Sequence, residues 1–132
     1  MKFYVFLPLL FLSISCSEIG KAPKRVFTFS GSTIDLSTEI EGDWDKVCLL
    51  TPYSSNQEAE RLIGFEFDIE SKSNIYELDS ITLFLVVKRR QVIDYFEVPR
   101  NSIDFSAREA DCYPREKAWF NIVTDSAGGY KI

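Results

Sequence analysis

Between Ile81 and Val87 the chain reads ITLFLVV, an apolar run of seven residues. That length suits a strand, and a strand without polar alternation is one covered on both faces. The polar stretch Lys88-Arg89-Arg90-Gln91 follows, then a second run from Val92 to Val98 that Pro99 stops. Two such runs joined by a short polar turn predict a β-hairpin. A third run, Lys46 to Thr51, ends at Pro52 and predicts another buried strand. Alternation at residues 26–29 and at Phe65, Phe67 and Ile69 predicts half-buried strands. Ile103 with Phe105 predicts a brief strand, and Trp119 to Thr124 the last full one. Asp125 to Gly129 is then a turn that lets Tyr130 to Ile132 return as an edge.

Two helices are predicted. Ser55-Asn56-Gln57-Glu58 is a capping box, in which the Ser55 hydroxyl accepts from the amide of residue 58 and Glu58 reaches back. Ala59, Leu62 and Ile63 then make an apolar face, and Gly64 stands where a left-handed cap is needed, so the helix covers 56–63. Leu36, Ile40 and Trp44 are spaced by four, with Asp35 or Ser37 as cap and Gly42 as stop, which predicts a second short helix. The polar stretch from Ser106 to Lys117 is predicted as a loop or a single helical turn. The sum is a single α+β domain over residues 26–132: an antiparallel sheet of four to six strands with one or two short helices on one face.

The N-terminus follows a different pattern. Lys2 precedes an uncharged stretch from Phe3 to Ile14 that is nearly all apolar. A basic start, a short apolar stretch and small residues at its end are the anatomy of a secretory signal. A membrane-crossing helix needs about 20 apolar residues; this stretch is shorter, and Pro8 interrupts it. Its end, Leu12-Ser13-Ile14-Ser15-Cys16, resembles the bacterial lipobox, with Ser13 where that family prefers Leu and Ser15 as the small residue before the Cys. The resemblance implies fatty acylation of Cys16 (palmitate included) and removal of residues 1–15 as a signal peptide. Residues 16–25, which hold Gly20, Pro23 and three basic residues, then read as the acylated N-terminus and a tether of roughly 30 Å at full extension. More than one acyl chain makes such anchoring stable. Ser17 after the Cys, where an inner-membrane retention signal would have Asp, implies the periplasmic face of the outer membrane in a Gram-negative envelope. An ordinary cleavable signal with an incidental Cys16 and a retained hydrophobic N-terminus are the competing readings.

Charge and cysteines narrow the picture further. The net charge is −5 and no long basic run occurs, which disfavours nucleic acid as a partner. The chain has 3 cysteines. With Cys16 assigned to acylation, Cys48 and Cys112 remain, and in an oxidising compartment the simplest use of a spare pair is a disulfide. Closing a loop of that length contributes about 4 kcal/mol in the chain-entropy account. Two buried free thiols are the alternative.

Candidate chemistry is sparse. The chain has 0 histidines, so Ser-His-Asp and Cys-His catalysis and the usual His zinc sites are excluded. Gly128-Gly129 has no helix after it and is no phosphate loop. No cofactor and no metal is expected. Arg100, Asp104, Arg108, Glu109 and Asp111 cluster in sequence, but paired-carboxylate hydrolysis needs two such groups facing one cleft. Arg89 and Arg90 at the hairpin tip read as a solvated turn, with contact to an acidic partner as the alternative. Trp44, Tyr53 and Tyr113 form a candidate binding rim, since each has an apolar body and a polar edge; core-edge packing is the competing use. Trp44-Asp45-Lys46-Val47-Cys48, then Pro52-Tyr53, then Asp111-Cys112-Tyr113-Pro114 resembles a pattern of small uncharacterised bacterial envelope proteins, over roughly residues 34–123. That resemblance implies a domain type and no activity. The expectation is a non-enzymatic lipoprotein with a protein partner, an accessory component of the bacterial envelope. A small-molecule-binding or hydrolytic periplasmic domain, an immunity protein against an exported toxin and a purely structural component are the alternatives.

Overall fold

The run at Ile81 is a strand because seven consecutive residues are buried, Ile81 through Val87, and only two neighbouring strands with a layer on each face can cover them all. The structure is a computed structural model that describes residues 22–132, so the predicted export signal and Cys16 lie outside the described residues. In chain order the elements are β1 (Thr33–Asp35), α1 (Leu36–Glu39), β2 (Lys46–Leu50), α2 (Asn56–Ile63), β3 (Ile81–Lys88), β4 (Gln91–Pro99), β5 (Asp111–Pro114), a single 3-10 turn (Arg115–Lys117), β6 (Trp119–Asn121), β7 (Val123–Thr124) and β8 (Tyr130–Lys131). The main sheet has the order β4-β3-β2-β5 and is antiparallel throughout. β1 pairs with β6 and β7 with β8 in two small ribbons. The α+β architecture with an antiparallel sheet agrees with the sequence reading.

Side-chain alternation divides the core in two. Val47, Leu49, Phe84, Val86, Phe96 and Val98 face one side, where Leu36, Ile40, Trp44, Phe105 and Phe120 cover them. Aromatic rings join that layer edge to face, Phe84 with Phe105 at 5.1 Å and Phe105 with Phe120 at 5.8 Å between centroids. Cys48, Leu50, Leu83, Leu85 and Val87 face the other side, under Ala59, Ile63, Ile69 and Ile75. The two helices thus serve opposite faces, not the single face expected. α1 is only 4 residues long, so its place is decided by which core takes Leu36.

α2 has the predicted ends. Ser55 accepts from the Glu58 amide, Glu58 returns the bond to the Ser55 amide, and Gly64 adopts φ 85°. The hairpin joins Lys88 to Gln91 through Arg89 and Arg90, with a bulge opposite Val86 and Val87.

Five expectations are corrected. Residues 26–29 form no strand, although Phe27 is buried; the pairing falls just before them, where Arg25 N–H donates to Glu97 O at 2.8 Å and Glu97 N–H to Pro23 O at 2.8 Å. Ala22 is 5 % exposed and donates to Lys72 O at 2.6 Å, so residues 22–25 belong to the domain and not to the tether. Phe65, Phe67 and Ile69 pack on the second core without a partner strand, because both edges of β3 are already taken; the side chain of Asn56 instead accepts from the Glu70 amide and donates to Asp68. Residues 119–124 make two strands in different ribbons, separated at Ile122, whose N–H goes to Ser32 O. Ile103 and Phe105 are buried around a single bridge from Asp104 to Lys131.

Candidate functional site

The cysteines are the first candidate positions to be placed. Cys112 lies in β5, not in a loop, directly opposite Cys48 of β2 in the register. The two form a disulfide with an S–S distance of 2.06 Å across 64 residues of sequence. It ties a four-residue edge strand to the sheet interior, which is a structural use.

Trp44 is not part of a rim. It is 2 % exposed, its indole N–H donates to Ile40 O at 3.0 Å, and the Arg115 guanidinium lies over its ring at 4.8 Å. The four-residue step from Ile40 to Trp44 around Gly42 (φ 96°) turns the indole inward, where its one polar atom is satisfied by backbone. Tyr113 is half-buried and packs edge to face on Phe120 at 4.9 Å, on the first core. Tyr113 also borders a shallow surface cleft with Arg108, Glu109 and Asp111, whereas Tyr53 is 62 % exposed. The predicted rim is therefore dispersed: Trp44 is inside, and Tyr113 and Tyr53 serve different faces of the sheet.

The turn that carries Tyr53 has a feature that neither composition nor spacing signals. Pro52 presets the first central position of the turn Thr51–Ser54, and Tyr53 occupies the second with φ 68°. Glycine is the residue that position favours, and a side chain there costs about 1–2 kcal/mol. The surroundings hold it in place: Tyr53 N–H donates to Ile75 O at 2.7 Å and the Ser54 hydroxyl to Thr51 O at 2.6 Å. Beside this turn a groove of about 440 Å³ runs between Pro52 and Tyr53 on one side and Glu58, Arg61 and Leu62 of α2 on the other, closed by Ala110. The volume falls within the range of small-ligand pockets, and its lining mixes an aromatic, an aliphatic and an arginine. Arg61, Leu62 and Ala110 escaped the sequence reading because the helix face they share with the turn is set by α2 packing on the sheet, and Ala110 is brought there by β5.

Other polar residues are committed elsewhere. Asp45 accepts the backbone N–H of Arg89, which has φ 54° at the hairpin tip, and Lys88 pairs with Asp43. The hydrogen bond and charge of Lys88 hold the Asp43 carboxyl below its ordinary value. Asn56 and Ser71 do the same for Asp68. Arg100 pairs with Asp104 at 2.9 Å, inside a wider and shallower cavity of about 740 Å³ that Lys24, Asp79 and Tyr130 also line. Partial burial pushes the Asp104 carboxyl up, but bonds from Ser106 and Arg100 outweigh it, and the group titrates below its ordinary value. Arg108 lies over the Phe120 ring at 5.1 Å, and Asp111 accepts the Cys112 amide at 2.8 Å. The charged cluster of residues 100–111 is thus split between two places: Arg100 with Asp104 in the wider cavity, and Arg108, Glu109 and Asp111 along a separate shallow cleft of about 580 Å³.

Among the described residues no helix is long and apolar enough to cross a membrane. Comparison with protein-family models, with curated proteins and with solved structures finds no match.

Proposed function

We propose that the protein is a lipid-anchored, non-enzymatic component of the bacterial envelope that binds a protein partner through the groove beside Tyr53. One observation carries this reading. An exposed tyrosine occupies a turn position with φ 68°, where glycine would be easier, and it walls a concave site. A folding requirement does not account for a 62 % exposed ring, whereas an exposed aromatic anchor beside a pocket is what interface hot spots use. Support for the anchor comes from the N-terminal pattern ending at Cys16, and support for a non-catalytic role from a chain with 0 histidines in which Asp104 is paired with Arg100 and Asp111 with the Cys112 amide.

Stability and binding separate the folding role of Tyr53 from a recognition role. Tyr53→Gly relieves the backbone and removes the ring. The expected result is a fold at least as stable as the parent, with recovery of a partner cross-linked in the native envelope reduced tenfold or more. Unchanged recovery, with stability raised, would reduce Tyr53 to a tolerated turn residue.

A further inference from the structure

We infer that the partner in the Tyr53 groove is the juxtamembrane segment of a membrane-embedded protein, because the groove opens at the end of the domain that the anchor holds against the bilayer. The inference rests on the groove reading and on acylation of Cys16.

The chain enters the domain at Ala22, whose N–H is bonded to Lys72 O. Three residues further on, Ile75 O accepts from Tyr53 N–H. At about 3.4 Å per residue, Tyr53 lies within about 15 Å of the entry point. Cys16 and Ala22 are six residues apart, so even a fully extended link reaches at most about 20 Å. A domain of this size is about 35 Å across. The link is shorter than the domain, and the end bearing Ala22 stays next to the lipid. That end also holds Ile81 and Pro99, which share a cavity with Lys24. The hairpin tip lies at the opposite end of β3, about 23 Å away.

The surface agrees with this orientation. Tyr53, Tyr76, Leu78 and Tyr130 are all exposed, and all belong to the end where the chain enters. Tyrosine suits the membrane–water boundary, with an apolar body and a wet tip. A bare lipid surface is a poorer fit than a protein segment, for two reasons. The site is concave, and Arg61 at its wall calls for an acceptor on a protruding group. Glu77, Asp79 and Asp125 flank the patch, Lys24 lines the same cavity and Arg100 is taken up by Asp104, so the charge there offers anionic headgroups no net attraction. The occupant that fits is an apolar side chain followed by an acidic or carbonyl acceptor, presented just outside a membrane span.

The test replaces Tyr53 with the photo-cross-linking residue p-benzoyl-phenylalanine in the full anchored chain, in its native envelope. Arg61, exposed on the groove's helix wall, carries the same probe in a second variant, in case the first fails to fold, and Gln91 at the hairpin tip carries it as control. Acylation is read on the same chains by fatty-acid labelling. A secreted form, with residues 1–16 replaced by a cleavable signal, provides the unanchored comparison. The expected result is an adduct that maps within about ten residues of a membrane span, falls at least tenfold in the secreted form and is missing from the Gln91 control. An adduct with a soluble protein, undiminished in the secreted form, overturns the membrane assignment and leaves the groove reading standing. Adducts with lipid alone overturn it in favour of direct bilayer contact. Folded, acylated variants that give no adduct at position 53 or 61 overturn the groove reading itself.

Discussion

The carboxylate of Asp45 accepts the backbone N–H of Arg89, 44 residues further along the chain. Among the described residues, Arg89 is one of two non-glycine residues with positive φ, at the tip of the β3–β4 hairpin, and Asp45 holds its amide in that conformation. The Asp45 amide in turn donates to Val87 O, so the residue between Trp44 and β2 is stitched to the neighbouring strand from both sides. Asp45→Ala should destabilise the fold by about 1–2 kcal/mol through the lost charge-assisted bond. Arg89→Gly should stabilise it by about 0.5–1 kcal/mol by relieving the left-handed side chain. Urea unfolding of the single variants measures both, and a stability loss at Arg89→Gly would show that the arginine side chain matters more than its backbone.

The disulfide should be visible to thiol reagents. Cys48 and Cys112 are bonded, so alkylation in denaturant should label neither before reduction and both after it. The double variant Cys48→Ala with Cys112→Ala should lose about 2–4 kcal/mol, since the loop between them is long and β5 is otherwise a short edge. Equal labelling with and without reductant would contradict the bond.

Trp44 separates packing from binding. Trp44→Phe removes the indole donor to Ile40 O and the ring area under Arg115. A loss of about 1–3 kcal/mol is expected, with cross-linking at position 53 unchanged. Loss of the adduct in a variant that remains fully folded would return Trp44 to the binding surface.

Acid should weaken the fold through its carboxylates. Asp43, Asp68 and Asp104 all titrate below the ordinary value of 3.8 in the folded chain. A group with a lowered folded value contributes stability that is fully present above the unfolded value and is lost as pH falls through the folded one. Unfolding free energy should therefore be flat above about pH 5 and fall below about pH 4. Asp104→Asn, which removes the one partly buried member of the three, should flatten that decline, and denaturant titrations between pH 2 and 6 measure it.

The anchor has its own test. Replacing Cys16 with Ala should abolish incorporation of labelled fatty acid. Persistent labelling would move the acylation elsewhere and leave an ordinary export signal as the reading of residues 1–16.

By itself, the amino-acid order determined what lies within one turn of helix or one strand. Ser55, Glu58 and Gly64 specify both ends of α2 because capping involves residues three or four apart. Ile81 to Val87 specify an interior strand because seven apolar residues need cover on both faces. The same order left the alternating segments undecided. Alternation marks which side chains are buried, and only the finished sheet decides whether a partner strand is free, as Phe65 to Ile69 show. Of the three residues predicted to share one rim, only Tyr53 lines the groove beside α2. Trp44, Tyr53 and Tyr113 carry similar chemistry, and their fates depend on contacts far along the chain: Arg115 over Trp44, Ile75 against Tyr53, Phe120 against Tyr113. Burial and backbone conformation at those positions are properties of the packed whole, so tertiary structure alone could leave Tyr53 outside, at φ 68°, beside a groove.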